Sequence, residues 1–253
     1  MSDQTFCAQY ESAIHSSDFG VFYAYILERA LGSVPQSGSG LDVACGPAIL
    51  LSEFARRRPD MAFTGVDLSH AMLEQARRNV EKQGLANVRL LYGNMSDLPE
   101  ILGDETFDWV TCTFGLHYSR DADQALAVLD GVARVLKPGA CFFLADLTRF
   151  KREVTRQWFA NKYDRGVGEE FFREILDSYL ASFSLEEFMD LLQRSRLSGG
   201  TVEWSCLLPV LVVAHNLHPG RRTRERIDLT WLQRLKHGLL RSVLRLSAVR
   251  SGF

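Results

Sequence analysis

The sequence of 253 residues lacks the features that mark several classes of protein. No run of it approaches the roughly 20 apolar residues of a membrane-spanning helix. Its N-terminus has neither the basic start nor the apolar core of a secretory signal. The five cysteines form no CxxC pair and no Cys/His cluster with zinc spacing. These absences predict a soluble cytoplasmic protein with buried thiols and no metal site.

The chain also lacks a large net charge, since its formal net charge is -2, but the charges are unevenly placed. Nine of the 29 Lys and Arg residues, against two of the 31 Asp and Glu residues, lie from His215 onward. Apolar residues recur at three- and four-residue steps from Leu229 to Leu246, which predicts an amphipathic helix with a basic face. Four partners fit such a helix: the acidic body of the chain, a second copy in a homodimer, a peripheral membrane or carrier-protein surface, and RNA.

Short apolar runs alternate with helix-like stretches in the first two thirds of the chain. Five runs predict strands, at Leu41–Cys45, Met61–Leu68, Val88–Gly93, Phe107–Gly115 and Ala140–Leu147. Predicted helices separate them, at Ile49–Arg58, after the N-cap Ser69 as far as Gln83, and at Asp121–Leu136 before a Lys137-Pro138-Gly139 turn. Strands that are apolar on both faces and alternate with helices form a parallel sheet covered on both sides. Two further strands are predicted in residues 201–215, broken at Pro209.

Ligands bind such sheets at the carboxyl ends of the strands, so the candidate site follows each strand. The segment LDVACGPA leads from a strand into a helix through small residues, which lets a ligand approach the backbone and the amides of the helix start. A simple tight turn has the same pattern, and Ala44 and Ala48 stand where glycine is usual. Asp67 ends the next strand, where a carboxylate can accept hydrogen bonds from both hydroxyls of a ribose. In GNMSDLP, Asn94 and Asp97 suit the edge of an adenine, and Met95 suits its face.

Five motifs in this order resemble the class I S-adenosylmethionine-dependent methyltransferase family: LDVACGPA, VDLS with AMLEQAR, GNMSDLP, FDWVTCTFGLHY and LKPGACFFLAD. The resemblance covers Gly40 to Leu147 and, more loosely, the chain as far as Ala214. It implies a Rossmann-like, doubly wound α/β fold with a mostly parallel seven-stranded sheet. It also implies methyl transfer from S-adenosyl-L-methionine.

The resemblance implies a set of cofactor residues. Residues 42–48 would hold the methionine part, Asp67 the ribose, and Asn94 and Met95 the adenine, while Thr113 and Phe114 would line the methionine side. The full implied set is Asp42, Ala44, Cys45, Gly46, Asp67, Leu68, Met72, Asn94, Met95, Thr113 and Phe114.

An oxygen or nitrogen acceptor needs alignment and, when protonated, a base. The candidate bases are His117 and Tyr118, which follow the fourth strand, and His15, in an N-terminal segment that covers the site in many family members. His117 also fits a structural role in its loop, and His15 a place on the surface. Candidate substrate contacts are Arg149, Trp158 and Tyr163, which follow the fifth strand.

Two absences favour a small-molecule acceptor. The fourth strand continues without the Asn-Pro-Pro-Tyr-like sequence that the family associates with amide and base-nitrogen acceptors, and no RNA-binding domain is added. The leading hypothesis is methylation of a small, partly hydrophobic metabolite. The alternatives are a nucleic-acid methyltransferase, suggested by the basic tail, and a cofactor-binding protein that transfers no methyl group, suggested by Ala44 and Ala48.

These expectations divide the chain into three regions. Residues 1–39 form a helical cap, residues 40–216 the methyltransferase domain, and residues 217–253 a basic helical extension. Residues 148–183 interrupt the alternation and are rich in aromatic side chains, which fits either extra core or a helical lid over the acceptor. After them, Ser184 and Glu187 in SLEE predict a capping box at the start of a helix.

Overall fold

A computed structural model describes residues 18–149, 154, 169–205, 211–216 and 248–252. Its strands are β1 (Gly38–Val43), β2 (Met61–Asp67), β3 (Val88–Tyr92), β4 (Phe107–Thr113), β5 (Leu136–Leu147), β6 (Thr201–Ser205), β7 (Leu211–His215) and β8 (Ala248–Gly252). Its helices are α1 (Asp18–Leu31), α2 (Ile49–Arg57), α3 (His70–Lys82), α4 (Leu98–Leu102), α5 (Ala122–Val135), α6 (Glu169–Ala181) and α7 (Leu185–Arg194). Two 3₁₀ turns lie at Met95–Asp97 and Leu116–Tyr118.

The strands form one sheet in the order β3-β2-β1-β4-β5-β7-β6-β8. Strands β1 to β5 pair in parallel, whereas β7 is antiparallel to β5 and to β6. This confirms the predicted Rossmann-like, mostly parallel sheet. The strand order reverses between β1 and β4, and that switch point is where open α/β sheets bind their ligands.

An eighth strand extends the sheet beyond the seven that were predicted. β8 pairs antiparallel with β6, from Thr201 opposite Gly252 to Ser205 opposite Ala248. Residues 248–250 were expected to end the basic C-terminal helix, and for them the prediction is wrong. The leucine periodicity stops at Leu246, and pairing with β6 satisfies backbone groups that an open sheet edge leaves unpaired. The rest of the predicted helix lies outside the described residues.

The predicted Lys137-Pro138-Gly139 turn is also wrong, because β5 runs through it. Leu136 pairs with Phe107, and the next pair joins Cys141 to Trp109, so the register shifts between them. Gly139 has a φ of 75°, a left-handed conformation that glycine adopts without a steric cost. The extra residues form an irregularity within the strand instead of ending it.

Helices cover both faces of the sheet. Helices α1, α2, α3 and α6 bury side chains on one face, around Phe63, Trp109 and Phe143. Helices α4, α5 and α7 bury theirs on the other face, around Val110 and Phe142. The neighbours Phe142 and Phe143 point to opposite faces because side chains alternate along a strand. Among the described helices, none is long and apolar enough to cross a membrane.

The region after β5 returns to the sheet through a capped helix. The Ser184 side chain accepts from the backbone of Glu187, and the Glu187 side chain accepts from the backbone of Ser184, which confirms the predicted capping box. The Arg149 amide donates to the Phe183 carbonyl at 3.1 Å, so the two ends of the inserted segment meet. Within it, α6 packs against the 3₁₀ turn Leu116–Tyr118.

Candidate active site

A cavity of about 1270 Å³ opens at the carboxyl ends of β1, β2 and β4 and beside the residues that follow β3. All of the predicted cofactor residues line it: Asp42, Ala44, Cys45, Gly46, Asp67, Leu68, Met72, Asn94, Met95, Thr113 and Phe114. They come from separate segments of the chain. The parallel strands bring them together because their carboxyl ends meet at one edge of the sheet.

The loop after β1 keeps the shape that glycines usually provide. Ala44, Gly46 and Ala48 have φ values of 57°, 52° and 58°, all in the left-handed region. This conformation costs a residue with a Cβ about 1–2 kcal/mol. The Cys45 amide donates to Val66 and the Ala48 amide to Cys45, at 3.0 Å each, and these bonds hold the loop. The two alanines therefore add strain to the loop.

Asp67 joins the end of β2 to this loop. Its Oδ2 accepts from the Gly46 amide at 2.7 Å, and its Oδ1 accepts from the Ser69 amide at 2.9 Å. Burial raises the pKa of Asp67, and the hydrogen bonds from Ser69 and Gly46 partly oppose that rise. Each carboxylate oxygen has a further lone pair, so the side chain can still accept from a diol.

Asp42 lies deeper, at the end of β1. Burial raises the pKa of its carboxyl group well above the ordinary value, and the nearby charge of Asp67 raises it further. Two carboxylates that share one poorly hydrated cavity favour a cationic ligand, because a positive charge relieves both the repulsion and the loss of solvation.

The residues after β3 form the far end of the cavity. Asn94 caps the 3₁₀ turn at Met95–Asp97, since its Oδ1 accepts from the Ser96 amide at 3.1 Å. The side-chain oxygen of Asn94 is thus already engaged, and its NH₂ group is not needed for the cap. Ser96 Oγ donates to Asp97 Oδ1 at 2.9 Å, which orients this acid at the cavity wall.

Similarity to known proteins agrees with this geometry. Residues 41–139 match the family model described as "Methyltransferase domain". The demethylmenaquinone methyltransferase of Listeria welshimeri is 36% identical over 150 residues, which are 58% of this chain and 60% of that protein. The protein of the same name from Bacillus subtilis is 37% identical over 110 residues, 42% of this chain and 44% of that one.

Residues 41–139 are thus similar to the methyltransferase domain of class I S-adenosylmethionine-dependent methyltransferases. The chain spans about 60% of the length of the Listeria relative that it matches. The crystal structure of a SAM-dependent methyltransferase from Aquifex aeolicus has the same fold, with a TM-score of 0.55 and 20% identity. That superposition covers 81% of this chain and 91% of the Aquifex chain.

The similarity implies S-adenosyl-L-methionine as the cofactor, and the donor set of the cavity fits it. Asp42 and Asp67 suit its cationic groups and its ribose diol. A Cβ added to Gly46 would meet no atom within 4 Å, so the backbone there is open to a ligand. Helix α2 starts at Ile49 without a side-chain cap, and both Ile49 and Leu50 line the cavity. Amides at such a helix start are free to donate.

The two candidate bases after β4 lie in different surroundings. Tyr118 lines the cavity, with 56% of its surface exposed. His117 is only 3% exposed and is not among the residues that line the cavity. Its Nδ1 lies 2.6 Å from Asp146 Oδ1, and its backbone amide donates to Asp146 Oδ2 at 3.1 Å. His117 is therefore kept from the cavity, although the sequence analysis named it as a candidate base, whereas the second candidate, Tyr118, lines the cavity.

Arg149 lies outside the cavity as well. Its Nη2 is 2.7 Å from both carboxylate oxygens of Glu187, at the start of α7. The Arg149 guanidinium thus links the end of β5 to α7. The sequence analysis predicted that Arg149 would contact the substrate, whereas in the structure it pairs with Glu187. The other predicted site residues, His15, Trp158 and Tyr163, lie outside the described residues.

Tyr23, Arg120 and Gln124 are among the side chains that line the cavity and that sequence reasoning missed. Tyr23 belongs to α1, and its ring centroid is 5.6 Å from that of Phe114. Arg120 and Gln124 flank the predicted helix start at Asp121, and the Arg120 amide donates to Gln124 Oε1 at 2.8 Å. None of these residues directly follows a strand, so the rule used to find site residues did not reach them. The N-cap position of Asp121 was an available signal, because it places the neighbouring Arg120 and Gln124 at the start of a helix near the carboxyl edge of the sheet.

Proposed function

We propose that this methyltransferase transfers the methyl group of S-adenosylmethionine to a small, partly hydrophobic acceptor with an aromatic or quinol ring. One observation carries the proposal: the cofactor cavity continues without a break into an aromatic wall of Tyr23, Phe114 and Tyr118. Flat rings pack well against such side chains. The similarity to demethylmenaquinone methyltransferases supports an acceptor of this class.

The reaction requires alignment more than activation. When bound, the cofactor supplies an electrophilic methyl group. Asp67, Asp42 and the loop at Gly46 hold and orient it. The Tyr23–Phe114 pair excludes water beside the reacting centre and offers π faces, which stabilise a nearby positive charge. Fixing two reactants in line can supply much of the rate of such a displacement.

We assign the acceptor side of the cavity to Tyr118. Tyr118 is exposed, and a tyrosine hydroxyl can accept a hydrogen bond from an acceptor hydroxyl and donate to an acceptor oxygen. The same group can relay a proton from the acceptor to solvent as the bond to the methyl group forms. This role leaves the buried His117 out of direct contact with the acceptor.

The charge of the cavity argues against a nucleic-acid acceptor. Among the residues that line it are three aspartates, Asp42, Asp67 and Asp97, and one arginine, Arg120. An acidic surround repels a polyphosphate backbone, whose recognition depends on clustered cations. Most of the basic segment that suggested RNA, residues 217–247, lies outside the described residues.

A methyl-transfer assay with a panel of acceptors tests the proposal. Purified protein is incubated with isotopically labelled S-adenosylmethionine and either a short-chain demethylmenaquinol analogue, a hydroxylated aromatic acid or unmodified tRNA. We expect label in the quinol or the aromatic compound, detected by mass spectrometry, with equimolar S-adenosylhomocysteine. Asp67→Ala serves as the inactive control. Label in tRNA alone would replace our proposal with a nucleic-acid acceptor. Cofactor binding with no transfer to any probe would favour a protein that binds the cofactor without using it.

A further inference from the structure

Asp146 is a buried carboxylate that the cofactor site does not use. It is the last residue but one of β5, within the apolar run ACFFLADL. Its two oxygens accept from His117 Nδ1 at 2.6 Å, from the His117 amide at 3.1 Å and from the Leu147 amide at 2.7 Å. Side chains alternate along a strand, so Asp146 points to the same face as Phe142 and Leu144.

These bonds define the state of His117. Both oxygens of Asp146 accept from backbone N–H groups, so the ionised carboxylate is the acceptor in its bond with His117 Nδ1 as well. His117 Nδ1 therefore carries the proton that it shares with Asp146. His117 Nε2 is buried and has no hydrogen-bond partner among the described residues. A base that is to take a proton from an acceptor must reach it, and this nitrogen does not line the cavity.

The pair instead anchors the loop that follows β4. Phe114 has a φ of 54°, a strained value for a residue with a side chain, and its amide donates to the Ala145 carbonyl at 2.8 Å. Three residues later, His117 binds Asp146 through both its side chain and its backbone. The loop is thus fastened to β5 at two points, on either side of Gly115.

Tyr118 follows directly and depends on this anchor. The centroids of the His117 and Tyr118 rings are 4.3 Å apart, with the ring planes 38° from parallel. The Tyr118 amide donates to the Gly115 carbonyl at 3.1 Å. The bonds between His117 and Asp146 thus fix the backbone from which Tyr118 reaches the cavity wall.

We propose that Asp146 is a positioning residue for methyl transfer, which acts through His117 to hold Tyr118 at the acceptor side of the cavity. The inference rests on the proposed function, since that function assigns Tyr118 to the acceptor. It adds a residue that touches neither cofactor nor acceptor and a role for His117 other than proton transfer.

Hydrogen–deuterium exchange of the free protein tests the anchor without any acceptor. We expect Asp146→Asn and His117→Ala to speed exchange of the amides in residues 114–119 by about 10-fold or more, because a buried charge-assisted bond is lost. His117→Asn should stay near the parent protein, since its amide nitrogen takes the place of Nδ1. Asp108→Asn is the matched control: it removes a carboxylate from the opposite end of β4. Unchanged exchange in both Asp146→Asn and His117→Ala would overturn the proposal.

Kinetics then separate positioning from general damage. Asp146→Asn should lower kcat about 10- to 100-fold while the Kd for S-adenosylmethionine stays within about threefold, because misplacement affects alignment and spares cofactor binding. In a Tyr118→Ala background the same substitution should lower kcat by less than about threefold. A full loss of kcat in that background would show that Asp146 does not act through Tyr118, and the proposal would fail. If no acceptor in the panel is methylated, the proposed function fails, and exchange alone decides whether Asp146 anchors the loop.

Discussion

The Asp67 carboxylate accepts a 2.7 Å hydrogen bond from the backbone amide of Gly46, which couples the end of β2 to the loop after β1. One acid thereby shapes the loop and offers its remaining lone pairs to a ligand. The cofactor site consequently depends on Asp67 in two ways, and its replacement should affect binding more than stability.

Asp67→Ala should weaken S-adenosylmethionine binding about 10- to 100-fold, because bonds to a charged group contribute roughly 1.5–3 kcal/mol each. Asp67→Asn keeps one acceptor oxygen and should have a smaller effect. Isothermal titration measures both, and Asp104→Ala, an exposed acid away from the cavity, is the control. Equal affinities for the Asp67→Ala and Asp104→Ala proteins would place the cofactor elsewhere.

Gly46→Ala tests whether the open backbone of this loop faces the cofactor. Gly46 and Gly84 have φ values of 52° and 64°, and a Cβ at either would meet no atom within 4 Å. Alanine should therefore lower the free energy of unfolding by a similar amount at each, about 1 kcal/mol. Only Gly46→Ala should weaken S-adenosylmethionine binding, by about 10-fold or more, because its methyl group enters the space of the ligand. Cofactor affinity that falls equally in the Gly84→Ala protein would contradict this.

Much of the cofactor site could be predicted from the sequence because strand ends are visible in it. Runs of apolar residues show where β1, β2 and β4 stop, and in a parallel sheet those stops meet at one edge. The closeness of Asp42 and Asp67 can therefore be predicted without any knowledge of side-chain packing. The glycine-like conformations of Ala44 and Ala48 run against the preference of alanine, and the only signal for them is that both residues stand where glycine is usual.

Other features depend on contacts between distant parts of the chain. The position of His117 after β4 is clear from the sequence, but its direction is set by Asp146, 29 residues later in the chain. An isolated acid in an apolar run was the available signal. Strand β8 pairs with β6 across more than 40 residues, and no local pattern shows that pairing. The Lys137–Gly139 segment has turn composition, and only pairing with β4 extends the strand through it.

Arg149→Ala and Glu187→Gln should behave alike, because the structure joins these side chains in one exposed ion pair. Each should lower the free energy of unfolding by no more than about 1 kcal/mol, the range for such pairs. Glutamine at position 187 keeps the capping box intact. Acceptor KM should stay within about twofold in both, as neither group lines the cavity. A large rise in acceptor KM for Arg149→Ala alone would restore the role of Arg149 as a substrate ligand.

Asp42→Asn should weaken the cofactor complex and stabilise the free protein. Burial, followed by the charge of Asp67, raises the pKa of Asp42 well above its ordinary value. The folded protein therefore holds a proton on Asp42 in a pH range where the unfolded chain has lost it. By linkage, stability falls as pH rises from the unfolded value through the raised one. Asparagine does not ionise, so the Tm advantage of Asp42→Asn should grow across that range.

A second variant with the opposite sign makes the test of Asp42 specific. Burial raises the pKa of Asp108, but hydrogen bonds from Lys137 and Ser39 outweigh it, and the pKa is lowered overall. Its contribution to stability is therefore present above the unfolded pKa and is lost as pH falls. Asp108→Asn should lower the Tm near neutral pH, and its Tm should approach that of the parent protein in acid. The Tm of Asp42→Asn should also approach that of the parent protein in acid, but from a higher value.

In titrations at neutral pH, Asp42→Asn should bind S-adenosylmethionine about 10-fold more weakly, because a cation prefers the ionised group. Between the ordinary and the raised pKa of Asp42, binding to the parent protein should also release protons, seen as an enthalpy that depends on the buffer. Proton release that persists in the Asp42→Asn protein would show that another group carries it.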